Sequence, residues 1–290
     1  MQTWPPADPC ASIERMNRIT QATRAGLTFD VTDAGPLDGP VVLLLHGFPA
    51  SRRSWDGVAP HLHAAGFRTL APDQRGYSPG ARPRGRGAYR TAELVRDALA
   101  VADAADADRF HVVGHDWGGA VAWRLALVAP QRLTHLTAVS TPHPSALRTA
   151  MLTSTQVLSS WYMAFFQLPV LPERFLEDRV AGLVRAGGVP PAIASRYAAT
   201  MSEPGALTAA LDWYRGAWLP GGSPMRAKDP SVRVPTTYVW GRHDQALGRR
   251  AAELTRRHVS APYRFVELDE GHWIPEVAPE RLAQEILAGP

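Results

Sequence analysis

The chain has 290 residues and a formal net charge of +4, with 45% hydrophobic and 20% charged residues. These are values of a globular domain with a sizeable core, which excludes a disordered or fibrous chain. No apolar run is long enough to span a membrane. Met1 to Arg15 is Pro-rich and polar, without the apolar stretch of a signal peptide, so a cytoplasmic location is expected.

In chain order, Ile19–Thr23 and Leu27–Val31 read as two strands joined around Gly26. Val41–Leu45 is an aliphatic strand of the kind covered on both faces. Arg53–Ala65 reads as a helix, Arg68–Ala71 as the next strand, and Asp73-Gln74-Arg75-Gly76 as a turn in which Asp73 and Arg75 pair. Arg75, Arg82, Arg84, Arg86 and Arg90 form the densest basic cluster, in a Gly/Pro-rich stretch. Lys228 is the only lysine among 31 basic residues. No nucleic-acid-binding module surrounds this charge, so the stretch is expected to be a solvated loop and nucleic acid is not an expected partner.

Thr91–Ala105 carries Leu94, Val95, Ala98, Leu99 and Ala102 at helical spacing. A short strand at Phe110–Val113, a helix at Ala120–Leu127 and a strand at Leu133–Ser140 follow. Alternating strand and helix predict an α/β fold with a mostly parallel sheet and helices on both faces. The rhythm breaks after Pro142-His143-Pro144. Residues 145–228 show helical segments, aromatics and Gly/Pro breaks, and Gly221-Gly222-Ser223-Pro224 reads as the exit linker. The core resumes with Thr236–Trp240, a helix near 248–258, a strand at Tyr263–Leu268 and a last helix after Pro279. The expected organisation is a core of 1–144 and 229–290, interrupted after the sixth strand by a helical insertion, 145–228.

Gly114-His115-Asp116-Trp117-Gly118-Gly119 lies between a predicted strand and a predicted helix. That is the context of a nucleophile elbow, Gly-x-nucleophile-x-Gly. The glycines permit a turn too sharp for side chains on either side of a strained central residue. The central residue is Asp116, not serine. A carboxylate can attack carbon and form an ester with the substrate, which moves the expected chemistry to epoxide opening or halide displacement. In open α/β sheets the site lies at the carboxyl edge. Three other loops leave that edge with suitable residues: His46-Gly47-Phe48-Pro49, Gly241-Arg242-His243-Asp244 and Gly271-His272-Trp273. The chain order Asp116, Asp244, His272 is that of nucleophile, acid and histidine in hydrolases of this architecture.

On these residues the chain resembles an α/β-hydrolase of the epoxide-hydrolase branch over nearly its whole length. The resemblance implies a central, mostly parallel sheet with a helical cap. Asp116 becomes the nucleophile, His272 the base and Asp244 the acid that orients it, with the backbone N–H groups of Phe48 and Trp117 as an oxyanion hole. Two cap tyrosines are implied to hold the epoxide oxygen. One lies four residues before a Phe-Gln pair, here Phe166-Gln167, which gives Tyr162. The other lies in a Trp-Tyr-Arg segment, Trp213-Tyr214-Arg215, which gives Tyr214. A neutral phenol can stabilise the emerging alkoxide. Trp117, Trp161, Phe165 and Trp213, with Trp218, point to an apolar substrate site. No cofactor and no metal are expected. The substrates would be a small apolar or aromatic epoxide and water, and the chain a monomer or homodimer.

A haloalkane or haloacid dehalogenase would use the same Asp, acid and His, with Trp117 as one halide donor. Phe48, however, stands where haloalkane dehalogenases place a side-chain donor such as Asn, and Trp117 where fluoroacetate dehalogenases have Arg. A non-catalytic ligand-binding protein on the same fold is the other alternative; the intact Asp116–Asp244–His272 set argues against it. Blander readings exist for single residues. Asp116 could cap a helix. Tyr162 and Phe166, four apart, could form a core stripe. Tyr197 is a third cap tyrosine without an assigned role. His61 and His63 point apart on a helix. His115 and His143 read as structural hydrogen-bonding groups, and Asp269 and Glu270 as solvated loop. Cys10, the only cysteine, cannot form an internal disulfide.

Overall fold

Successive side chains of a strand face opposite ways, so a strand buried on both faces must be apolar throughout. Val41–Leu45 forms such a strand, β3. Its Leu43 and Leu45 belong to one core layer, with Leu94, Val95, Ala98, Val121, Ala122 and Leu125; Val42 and Leu44 belong to the other, with Val58, Leu62, Leu282 and Ile286. Each fully buried aliphatic side chain contributes roughly 1.5–3 kcal/mol.

The computed structural model describes residues 17–219 and 231–289. Cys10, Lys228 and the expected linker Gly221–Pro224 lie outside them. The strands are β1 (Gln21–Arg24), β2 (Leu27–Ala34), β3, β4 (Arg68–Pro72), β5 (Phe110–His115), β6 (Leu133–Val139), β7 (Thr236–Gly241) and β8 (Tyr263–Leu268). They form an 8-stranded sheet in the order β1-β2-β4-β3-β5-β6-β7-β8. β1 with β2 and β2 with β4 pair antiparallel; all later pairs are parallel. The helices before the insertion are α1 (Ala59–Ala64), α2 (Thr91–Ala104) and α3 (Trp117–Val128). Arg68 links β4 to β2 through a buried fork on Asp33, at 2.9 and 2.6 Å.

Between β6 and β7 the described residues are helical: α4 (Pro144–Thr153), α5 (Gln156–Ser159), α6 (Trp161–Phe165), α7 (Leu171–Leu176), α8 (Val180–Ala186), α9 (Pro191–Met201) and α10 (Ala206–Ala217). After β7 come α11 (Arg249–Thr255), α12 (Ile274–Val277) and α13 (Pro279–Ala288). Ala146 and Ala150 of α4 pack with Ala251 and Leu254 of α11, which seats α4 against the core.

Three expectations need correction. The helix expected over Arg53–Ala65 is a 3-10 turn at Arg52–Trp55 followed by the short α1. Pro60, which has no N–H, can only sit in the first turn of a helix, so nothing helical continues through it. Asp73 and Arg75 do not pair with each other. Asp73 holds Arg52 at 3.1 Å, whereas Arg75 grips Asp97 of α2 at 2.6 and 2.8 Å. The Arg-rich stretch is therefore not uniformly solvated. Arg75 is buried, and Arg82 binds the carbonyls of Gly76 and Tyr77 and reaches Glu203 of the insertion at 2.6 Å. This loop is the seat on which α10 rests: the indole N–H of Trp213 donates to the Arg75 carbonyl at 2.8 Å.

Candidate active site

β5 ends at His115 and α3 begins at Trp117, so Asp116 makes the whole turn. Its φ of 51° and ψ of −121° lie where L residues rarely sit, a strain of order 1–3 kcal/mol that the surroundings must hold. A Cβ on Gly114 would strike the Gly118 carbonyl, and one on Gly118 the carbonyl of Leu45, which is why both positions are glycine. Thr141 Oγ1 donates to the Asp116 carbonyl at 2.8 Å, and the Asp116 N–H donates to Val139 at 3.2 Å. These bonds fix the elbow to the end of β6.

The three loops meet Asp116 as their placement after β3, β7 and β8 requires. The Phe48 N–H donates to Asp116 Oδ1 at 2.8 Å. His272 Nε2 faces Asp116 Oδ2 at 3.5 Å, and its Nδ1–H donates to Asp244 Oδ2 at 2.8 Å. Asp244 Oδ1 accepts from the N–H groups of Ala246 and Leu247, at 2.8 and 2.9 Å, so the acid cannot swing away. The His272 carbonyl accepts from Ser140 Oγ at 2.8 Å and from His115 Nε2 at 2.9 Å. Burial, with His272 next, lowers the His115 pKa to about 4. His115 is therefore a neutral structural donor. His143 is structural too, accepting from Ser145 N–H at 3.2 Å.

The charges of this group depend on one another. Burial alone would lower the His272 pKa, but Asp244 and Asp116 outweigh it and raise it well above its ordinary value. Burial would raise Asp116, yet its bond to His272 holds it down. The resting pair is thus imidazolium and carboxylate. Removing the negative charge of Asp116 removes one of the two groups that keep the proton on His272.

Tyr214 of α10 and Tyr162 of α6 face this pair, their rings 6.1 Å apart and nearly perpendicular. Tyr214 packs edge-on to Trp117 at 4.9 Å and to Phe48 at 5.5 Å. Burial first and the Asp116 charge second push both phenols up, so both hold their protons. The residues beside the tyrosines have a physical role. Gln167 donates to the Tyr214 carbonyl at 3.2 Å, and Arg215 donates from Nε to the Phe166 carbonyl at 2.9 Å. The two tyrosine-bearing helices are thereby bolted together.

Other expected residues fall elsewhere. Trp161 is 62% exposed and meets Phe165, whose ring packs on Phe166 and Phe175, not on Asp116. Trp213 is fully buried between Tyr77 and Trp117 and acts as packing beneath the site. Of the four aromatics expected at the substrate site, Trp117 alone sits beside the Asp116–Tyr214 group. Asp269 is exposed and pairs with His243 at 2.9 Å. Tyr197 donates to Glu276 Oε1 at 2.7 Å. Glu276 itself was not read as part of the site. It is buried, and burial lifts its pKa to about 8 while it stays close enough to feel His272 and Asp116. Its place four residues after His272 was the only available sign. Among the described residues no group of three or more His, Cys, Asp or Glu side chains is placed to hold a metal ion, and no helix is long and apolar enough to cross a membrane.

A sharp strand–turn–helix nucleophile served by an acid and a histidine from later strand ends defines a hydrolase of the α/β class. Comparison with known proteins agrees. The family model for the alpha/beta hydrolase fold matches residues 40–279. The AB hydrolase superfamily protein YfhM of Bacillus subtilis (strain 168) is 40% identical over 272 residues, covering 90% of this chain and 94% of that protein. Epoxide hydrolase 3 of Xenopus tropicalis is 31% identical, over 89% of this chain and 73% of its own. Among solved structures, one of the novel epoxide hydrolases from metagenomes of hot environments superposes with a TM-score of 0.79 at 27% identity, covering 92% of this chain and 96% of the other. The chain belongs to the α/β-hydrolase fold family, in its epoxide hydrolase group.

Proposed function

We propose that this chain hydrolyses epoxides to vicinal diols through an ester of Asp116. The observation that carries the reading is a pair of neutral phenols, Tyr162 and Tyr214, whose rings lie 6.1 Å apart and which both feel the charge of the half-buried Asp116 carboxylate at the elbow. Residues 145–228 act as the cap, and 1–144 with 229–290 as the core.

The two phenols hold the epoxide oxygen. Asp116 Oδ2 attacks a ring carbon; the C–O bond breaks and a tyrosine gives its proton to the alkoxide. The product of this step is a hydroxyalkyl ester of Asp116 and a tyrosinate. With Asp116 now neutral, His272 loses part of what held its proton; that proton returns to the tyrosinate through water. Neutral His272, oriented by Asp244, then takes a proton from a second water, which attacks the Asp116 carbonyl carbon. The developing negative charge falls on Oδ1, where the Phe48 N–H already donates at 2.8 Å; the Trp117 N–H is the proposed second donor. Collapse releases the alkoxide, which is protonated by the His272 imidazolium, and the Asp116 carboxyl returns its proton to His272. The sum is epoxide plus water giving diol.

The test is turnover of a neutral aryl epoxide scored as diol, beside halide release from a short haloalkane. Diol with no halide is expected. Halide release with no diol would overturn the reading in favour of a dehalogenase.

A further inference from the structure

Arg124 is the one arginine of α3 and lies seven residues after Trp117. Trp117, Ala120 and Arg124 are spaced i, i+3, i+7, so they share one face of the helix, with about 10 Å of rise between first and last. That face forms a wall of an open cavity of about 310 Å³ between α3 and the insertion, lined also by Leu147, Met163, Tyr214 and Trp218. The cavity therefore begins at two groups of the catalytic site, Trp117 and Tyr214, and runs along an apolar wall to a cation.

That cation is unusual. Arg124 is 6% exposed, and its Nε and Nη1 find no hydrogen-bond partner among the described residues. Burial, with no opposing carboxylate, lowers its pKa. The other buried arginines behave differently: Arg68, Arg75 and Arg215 each grip a carboxylate in a two-bond fork. A buried guanidinium without a partner costs stability, and the fork it presents matches a carboxylate in geometry and charge. Arg148, exposed, adds a second positive charge to the cavity wall.

We propose that this cavity is the tail site for the substrate, and that Arg124 binds a carboxylate carried on the apolar chain of the epoxide. The inference rests on the epoxide-hydrolase reading and specifies the substrate class: epoxides of carboxylic acids, with the ring and the carboxylate separated by an apolar spacer that runs along the α3 wall of the cavity.

Two measurements separate this inference from the reading it rests on. The first involves no chemistry. Binding of 4-phenylbutanoate and of its amide is followed by fluorescence of the cavity tryptophans Trp117 and Trp218 in the wild-type protein, Arg124→Met and Arg124→Lys. A charge-assisted fork predicts that the carboxylate binds and the amide binds more weakly. Arg124→Met is expected to lose roughly 10- to 100-fold in carboxylate affinity, and Arg124→Lys to recover part of it. Arg124→Met should also melt no lower than wild type, because it removes a buried charge that has no partner. Equal binding of acid and amide, or a melting temperature that falls in both variants, would overturn the proposal; the latter would mean that Arg124 is held internally. The second measurement compares kcat/KM for an ω-carboxylated aryl-alkyl epoxide and its methyl ester. Wild type should prefer the acid, and Arg124→Met should abolish the preference. Turnover of both without preference would refute the tail site alone. Carboxylate binding with turnover of neither would refute the epoxide reading and leave the anion site standing.

Discussion

Removing the two phenols tests how ring opening is driven. Tyr162→Phe and Tyr214→Phe each delete one donor to the forming alkoxide, a loss of about 10²-fold in rate per donor. If the donors act independently, the double variant should fall about 10⁴-fold, or roughly 5 kcal/mol of barrier. The tyrosine changes should cost little stability. Tyr214→Phe keeps the ring contacts to Trp117, Phe48 and Phe166. Tyr162 lies on a half-buried ring, and Tyr162→Phe should melt as wild type does. Tyr197→Phe is the control. Its hydroxyl serves Glu276, not Asp116, so stability should fall while ring opening continues. The assay is single-turnover alkylation of Asp116 by a neutral aryl epoxide, quenched and read by intact mass. A double variant alkylated at near the wild-type rate would refute the reasoning and return both tyrosines to packing.

His272→Gln should still be alkylated but not deacylated, so an adduct of the substrate's mass should accumulate on Asp116; Asp244→Asn should behave similarly, because an unpartnered histidine is poorly oriented. Protein that turns over yet never carries an adduct would contradict this. Glu276 supplies a pH signature. Its carboxyl is raised by burial from 4.5 to about 8, so the folded state holds a proton that the unfolded chain releases, and stability falls as pH rises from about 4.5 to 8. Glu276→Gln removes that dependence and should gain a few kcal/mol relative to wild type between pH 5 and 9; a constant difference in melting temperature across that range would count against it.

Much of this was legible in the sequence because the physics is local. Val41–Leu45 reads as a strand buried on both faces because all its residues are aliphatic, and the elbow reads because only glycine fits at 114 and 118. The order of Asp116, Asp244 and His272 along the chain carried the site, since each follows a strand. Pro60 is a local signal as well, since it admits a helix only from its first turn, and it excludes the single helix expected over Arg53–Ala65. The other failures are not local. Arg75 looked solvated because its partner Asp97 lies on another element. In the insertion, α6 is too short for periodicity to choose a face, so nothing local marks Trp161 as exposed; Trp213 lies on the 12-residue α10, and only the fold shows that it is buried on the Arg75 loop. Arg124 gave a readable sign, its i, i+7 relation to Trp117, but the absence of a partner appears only in three dimensions.

The covalent ester of Asp116 is the central claim, and the fate of the water oxygen tests it most directly. A single turnover of excess enzyme over a neutral epoxide in heavy-oxygen water, followed by digestion and mass analysis, locates that atom. Asp116 Oδ2 leaves with the diol and the water oxygen replaces it. Label is therefore expected in the peptide that contains Asp116, with unlabelled diol in the first turnover. Labelled diol beside an unlabelled Asp116 peptide would mean that water opens the ring directly, and the mechanism argued from this site would be wrong.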